Sequence, residues 1–362
     1  MGAYILRRLL LVIPTLIGVM IINFALTQFL PGGPVEQVLA QLEGEGDVLG
    51  AIAGFDDAGI SSESADSSSG FDGWDSANSD LRAQIAKEFG LDRPPLERFL
   101  NMMWKYIQLD FGESYFQPKT VVALVLEKLP VSISLGLWST LIIYVVSIPL
   151  GIRKAVRDGS KFDTMTSGII IAAYAIPSFL FALLLLVMFA GGSMWQIFPL
   201  RGLTSSSTVW DGLSWYGKIL DYLWHITLPT LAIMISGFAG LTFLTKNSFL
   251  DEIRKQYVVT ARSKGLTENR VLYGHVFRNA MLIVIAGFPG MFVGIFFGSS
   301  LIIEIFFSLD GLGRLGYEAA LQRDYPVIFG TLFVFGLLGL VVNILSDLMY
   351  AIVDPRIDFE AR

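Results

Sequence analysis

Apolar residues in this chain fall into long runs separated by shorter polar links. Six runs of about twenty residues carry few or no charges: Leu9–Leu30, Val131–Ile152, Gly168–Ala190, Ile226–Thr245, Met281–Ile303 and Val327–Val353. A helix of that length reaches across a hydrocarbon layer about 30 Å thick. The pattern therefore predicts an all-α membrane protein with six transmembrane helices. Arg7 and Arg8 precede the first run, as they would in a signal peptide. The run is too long for a typical signal core and lacks a small-residue cleavage site, so it reads as a retained span. Pro14, Pro149, Pro177, Pro229 and Pro289 sit in or beside the runs. Each removes one helix hydrogen bond, which neighbouring helices of a bundle can restore. Gly290, Gly294 and Gly298 repeat every four residues in the fifth run, predicting a smooth face for close helix contact.

The links differ sharply in character. Between the fourth and fifth runs lies a basic block, Gln256 to Ala280, with Gly265 midway between two helix-forming stretches. A membrane protein has little reason to keep so long a polar block between two spans unless something soluble docks there. The link between the first two runs is longer still. From Gly44 to Asp80 it holds nine acidic and no basic residues, with many Gly and Ser. Such a stretch cannot bury enough apolar surface to offset its ordering entropy, which predicts disorder over 41–80. Asp72-Gly73-Trp74-Asp75 lacks the spacing and closing Glu of a calcium loop. Beyond it, Leu81, Ile85 and Phe89 recur at helical spacing, Pro94-Pro95 makes a break, and Leu96 to Tyr106 predicts a second amphipathic helix. The expected organisation is an N-terminal span over 1–30, a folded outer cap within 31–126, a core over 127–353 with its soluble loop at 246–280, and a tail over 354–362.

Composition agrees. Hydrophobic residues make up 53% of the chain and charged ones 16%, against roughly 25% charged in a soluble domain. There is no cysteine, so no disulfide can form. The net charge of −6 conceals an asymmetry: residues 31–125 hold 6 Lys and Arg against 16 Asp and Glu, and the remainder 20 against 16. This is information about topology and does not point to nucleic acid. Lys and Arg in short loops stay cytoplasmic. Arg7 and Arg8, then Arg153, Lys154, Arg157 and Lys161, then seven basic residues from Lys246 to Arg278 mark one side. Both termini are thereby expected in the cytoplasm and residues 31–125 outside.

Catalytic signatures are scarce. Gly311-Leu312-Gly313-Arg314-Leu315-Gly316 spells the dinucleotide fingerprint, but no strand precedes it and it follows a membrane span. Its glycines are expected to let a short segment fold back on the bundle. No P-loop sequence occurs, so any ATP would be hydrolysed on another chain. His225 and His275 stand without a second His or Cys, which gives no metal site. Two carboxylates sit within or beside apolar runs, Glu304 at the outer end of the fifth and Asp347 near the inner end of the last. Either could serve transport or packing.

Within the basic block, Tyr257-Val258-Val259-Thr260-Ala261-Arg262-Ser263-Lys264-Gly265 resembles the loop by which permeases of binding-protein-dependent ABC importers grip their ATPases. The general pattern of that family, E-A-A-x-x-x-G, is met only at Ala261 and Gly265. The peptide-importer version, Y-V-x-T-A-R-x-K-G, is met well. Arg7-Arg8-Leu9-Leu10, Pro31-Gly32-Gly33-Pro34, Leu129-Pro130-Val131-Ser132 and Asp354-Pro355-Arg356 are similar to the same family. Leu135 to Tyr144, Thr245 to Glu252 and Asp354 to Glu360 look closer to its YejB-type subgroup of microcin C and oligopeptide importers. The resemblance implies a docking segment of Tyr257, Thr260, Ala261, Lys264, Gly265 and Leu266, with Ala261 and Gly265 on nearly one helical face. It also implies an inner-membrane location in a bacterium. The partners would be a homologous second permease, ATPase subunits carrying ATP and magnesium, and a periplasmic substrate-binding protein. No cofactor would be bound by this chain and no covalent chemistry done by it. Import of nickel or an oligosaccharide, or secondary transport, would suit the same apolar pattern.

Overall fold

The computed structural model describes residues 2–29, 92–190, 194–294 and 300–353, with Val35, Ala83 and Lys87 besides. The acidic stretch, Leu81, Ile85 and Phe89, Pro31 to Pro34, Gly298 and the Asp354-Pro355-Arg356 ending lie outside the described residues. Among the described residues the named elements are all helical, apart from two isolated bridges, Glu113 with Thr120 and Ala190 with Phe198. Five helical stretches are long and apolar enough to span: Arg7–Gln28, Val121–Val156, Trp215–Ile253, Glu268–Gly294 and Tyr325–Met349. They belong respectively to α1 (Gly2–Phe29), to α3 (Val121–Val156), to α7 (Trp215–Ile253), to the joined α9 (Glu268–Val271), α10 (Phe277–Ala286) and α11 (Phe288–Gly294), and to α14 (Tyr325–Val353).

The third expected span is not a straight helix. It consists of α4 (Lys161–Tyr174) and α5 (Ser178–Phe189), bent by 90°. The residue before a proline is pushed out of the helical region. Pro177, at φ −55° and ψ 134°, caps the start of α5, while Ala175 caps the end of α4. Elsewhere Pro14 in α1, Pro130 and Pro149 in α3 and Pro229 in α7 remain inside helices. The fifth span also starts earlier than its hydropathy suggests. Glu268 to Ala280, read as part of the soluble block, is helical and continuous with it through a π turn at Leu272–Val276.

Two compact units divide the chain: Met1–Pro14, Leu126–Leu315 and Val334–Arg362 in one, Thr15–Val125 and Gly316–Phe333 in the other. In the first, α7, which follows the short α6 (Ser207–Gly212), is packed by α4, α5, α10 and α12 (Ser300–Phe306). Small residues set the closest approaches, as lipid-embedded helices require. A Cβ on Gly151 of α3 would fall 2.6 Å from Thr245 Cβ and 2.8 Å from the Thr242 carbonyl. One on Gly237 of α7 would fall 2.7 Å from Ile143 Cδ1. Polar links back this packing: Trp138 Nε1 donates to Tyr222 Oη at 2.9 Å, and Tyr144 Oη donates to the Val284 carbonyl at 3.0 Å.

The second unit is held by rings. Phe24 of α1 meets Phe99 of α2 (Pro95–Ile107) at 5.3 Å and Phe329 at 6.0 Å. Tyr106 meets Phe111 at 4.7 Å and Phe333 at 5.5 Å. Buried Asp324, just ahead of α14, accepts hydrogen bonds from Ser114 Oγ and from the Tyr115 amide. Burial raises its carboxyl above the ordinary carboxylate range despite these donors.

Candidate functional site

The basic block folds as a helical hairpin. After α7 ends at Ile253, α8 (Gln256–Ser263) forms two turns. Val258 and Ala261 are buried in the core cluster that also holds Phe249, Val271 and Val276. This burial orients α8: Val259, Thr260, Arg262 and Ser263 are left exposed. The helix stops because Gly265 adopts φ +79°, a conformation glycine reaches without Cβ strain. The Gly265 amide donates to the Arg262 carbonyl at 2.9 Å, and the Leu266 amide to the Ala261 carbonyl at 3.4 Å. This is the Schellman ending, in which the third-last helical residue and the residue after the glycine come into apolar contact. Leu266 is partly buried against the same core as Ala261.

The four-residue interval between Ala261 and Gly265 thus measures a helix end. Gly265 lies past α8 and is exposed, Ala261 faces the bundle, and the two share no outward face. Lys264, also exposed, is the cap residue. Tyr257 is half-buried and donates to Glu252 Oε2 at 2.7 Å. Burial, then the Glu252 charge, pushes its phenol above the ordinary value, so it stays a donor. Arg262 closes the hairpin onto Glu268 with two parallel bonds of 2.9 and 3.0 Å. No motif singles out the side chains of Val259 or Tyr273, yet both are exposed apolar residues of this block.

Behind the hairpin lies an ionic cluster. Lys154, in the last turn of α3, is wholly buried. Its ammonium donates to the Asp163 carbonyl at 2.9 Å, Thr166 Oγ1 at 2.8 Å and Ser167 Oγ at 2.7 Å, and pairs with Asp163 Oδ1 at 2.9 Å. Lys246 of α7 reaches Asp163 Oδ2 at 2.7 Å and Asp158 Oδ1 at 2.9 Å, and Arg254 lies 3.8 Å from Asp158. Ser160 caps α4 by accepting from the Asp163 amide at 3.3 Å. Two lysines that served as topology markers are thus tied into the fold. The signal for this in the sequence was the Ser160-x-x-Asp163 capping pattern.

Glu304 is fully buried and is a cap. It accepts from Ser132 Oγ at 2.8 Å and from the Arg314 amide at 2.8 Å, in the first turn of α13 (Leu312–Gln322). A Cβ on Gly311 would sit 2.3 Å from Glu304 Cδ, and one on Gly313 3.0 Å from Glu304 Oε2. The glycines of the false dinucleotide fingerprint make room for a carboxylate. Asp347 lies 2.8 Å from the Arg8 guanidinium, joining the start of the first span to the last. Gly290 and Gly294 are exposed and touch nothing within 4 Å of a built Cβ, so their contact face is not used by the described residues.

Among the described residues no group of His, Cys, Asp or Glu is arranged to hold a metal ion. Long apolar helices, charges gathered at their ends and a basic hairpin in one connection define a multi-pass membrane protein. The chain belongs to the family of binding-protein-dependent transport system inner membrane components, whose model matches residues 147–359. It is 61% identical to the "Peptidoglycan transport system permease protein YejB" of Agrobacterium fabrum and 58% identical to the "Inner membrane ABC transporter permease protein YejB" of Escherichia coli O157:H7, over 100% of each chain. It is 34% identical to the "Oligopeptide transport system permease protein AppB" of Bacillus subtilis, covering 99% of this chain and 100% of that one. Among solved structures, the MetNI methionine ABC transporter in inward-facing conformations is similar at 14% identity and a TM-score of 0.48, over 64% of this chain and 97% of that one. The resemblance read from the motifs, to ABC importer permeases and their YejB-type subgroup, is met. A system of this kind includes a binding protein and an ATPase, and this chain is its inner-membrane part.

Proposed function

We propose that this chain is the permease subunit through which an ABC importer moves peptides or peptide-containing compounds across the inner membrane. The full-length identity of 61% to a permease named for peptidoglycan transport carries the substrate class, and the 34% relative named for oligopeptides agrees with it. Peptidoglycan fragments and oligopeptides share peptide bonds, which is the common chemistry. The complex would contain a homologous second permease and two ATP-binding domains. Residues 246–280 would be the cytoplasmic loop that the ATPase holds, with Tyr257, Thr260, Ala261, Lys264, Gly265 and Leu266 in it. Of these, Thr260, Lys264 and Gly265 are exposed for contact, while Tyr257, Ala261 and Leu266 shape the hairpin from inside. The Gly290 and Gly294 face would be covered by the second permease, and 31–126 would form the outer cap. ATP-driven closure would move the hairpin and, through the ionic cluster behind it, α3, α4 and α7. Each nucleotide state must favour one arrangement by differential contact.

The test is uptake by proteoliposomes holding the co-purified complex, with binding protein outside and ATP inside. Radiolabelled oligopeptides and muropeptides should accumulate only with ATP. Nickel or maltodextrin accumulation in their place would overturn the substrate class. Uptake driven by a proton gradient without ATP would overturn the mechanism.

A further inference from the structure

Helix α2 (Pro95–Ile107) has three sectors. One flank packs: Phe99 meets Phe24, Arg98 reaches Gln28 Oε1 at 2.6 Å, and Tyr106 is buried against Phe111. A second sector carries Glu97, Asn101 and Lys105, all exposed. Between them, at intervals of four, four and three residues, stand Leu96, Leu100, Trp104 and Ile107, exposed by 71, 57, 65 and 72%. Four large apolar side chains on one strip would be costly in water, because each loses roughly 1.5–3 kcal/mol by not being buried. They form a patch of the kind that marks an interaction surface.

The neighbouring surface identifies what covers it. Phe99 and Arg98 attach α2 to Phe24 and Gln28, at the end of the first span. The adjoining stretch of that span exposes Ile21, Ile22 and Leu26. In an inner-membrane component those side chains face lipid, so α2 is fixed where hydrocarbon gives way to headgroups. Its apolar strip lies beside a polar sector, which is the arrangement of a helix lying in the membrane plane. Trp104 suits that depth, since indole rings gather at the membrane–water boundary. Within α2, Arg98 and Lys105 stand against Glu97, a small positive excess of the sign that anionic headgroups attract.

We propose that α2 is an interfacial helix, with Leu96, Leu100, Trp104 and Ile107 inserted into the lipid leaflet that surrounds the outer end of the first span.

The chain has no cysteine, so single cysteines can carry nitroxide spin labels without background. Labels at positions 96, 100, 104 and 107, and at 97, 101 and 105, are compared in the co-purified complex. The host is nanodiscs of phosphatidylethanolamine and phosphatidylglycerol at 3:1 (~25% anionic lipid, enough to retain the attraction of basic side chains). The first four should be relaxed more by oxygen than by a water-soluble nickel chelate, and the last three should show the reverse. The transition should occur within each helical turn, consistent with insertion to about 5–10 Å. Nickel dominance at all seven positions would mean a helix standing in water. Low accessibility of the first four to both reagents would mean that protein covers the strip, from the unexposed part of this chain or from a partner. Either result overturns the proposal. Because all seven side chains are exposed, substitution there leaves the packed flank intact.

Discussion

Gly265 shows how one residue sets the shape of the helical hairpin. At φ +79° an L-residue with a Cβ costs about 1–2 kcal/mol, and asparagine bears it best. A built Cβ meets nothing within 4 Å, so size is no obstacle there and conformation alone decides. Gly265→Asn should therefore keep most uptake and ATPase association, and Gly265→Val should lose much of both; equal behaviour of the two in a pull-down with the ATPase would refute the assignment. Lys154 makes the opposite point. Removing one partner of a buried ion pair costs about 3–5 kcal/mol, whereas removing both can be nearly neutral. Lys154→Met should thus lower the melting temperature of the purified complex markedly, and Asp163→Asn should lower it too, because it takes the carboxylate from Lys154 and leaves Lys246 with Asp158 alone. The Ala261 to Gly265 interval was legible in the sequence as a motif, but its cause was not. A helical wheel treats both residues as helical, and only the carbonyl acceptors show where the helix stops. Lys154 read as one more positive charge, since counting cannot see Asp163 across a turn.

At the level of elements, apolar runs located every span, because the requirement for about twenty apolar residues is local. What they could not show was the 90° break at Ala175–Pro177, since hydropathy adds along the chain and carries no direction. Prolines alone did not decide it either, as those at 14, 130, 149 and 229 remain inside helices. Among the glycines, sequence spacing singled out 290, 294 and 298, whereas contact singles out Gly151, Gly237 and Gly311. Gly311→Ala should displace the Glu304 carboxylate and loosen the start of α13. Overpacking of this kind costs about 1–3 kcal/mol, more where a buried charge loses its donors. Gly290→Ala should be indistinguishable from the parent when this chain is studied alone. Thermal melts of both variants in detergent give the comparison, and a Gly311→Ala protein as stable as the parent would contradict the cap.

For the whole molecule, orientation in the membrane decides whether the hairpin can meet an ATPase. The Lys and Arg count predicts the hairpin in the cytoplasm and the 191–214 link outside. The Arg8–Asp347 contact brings the start of the first span and the last span together. Ser263→Cys and Thr208→Cys are both exposed sites on an otherwise cysteine-free chain. In cells with a permeabilised outer membrane, an impermeant maleimide should label position 208 and leave 263 untouched until the inner membrane is opened. The reverse pattern would put the hairpin beyond the reach of an ATPase.

The shortness of α8 has a last consequence. Eight residues make a rod about 12 Å long. One flank of it is already spent on Val258 and Ala261 inside its own protein. Were an ATPase to dock there, the exposed flank of so short a rod would offer less than the ~800 Å² per side of a standard-size interface. A soluble engine could pull on such a handle but could not be held by it alone. Its grip would have to be completed by a second handle on another chain, and a motor that needs both hands would let go when either is missing.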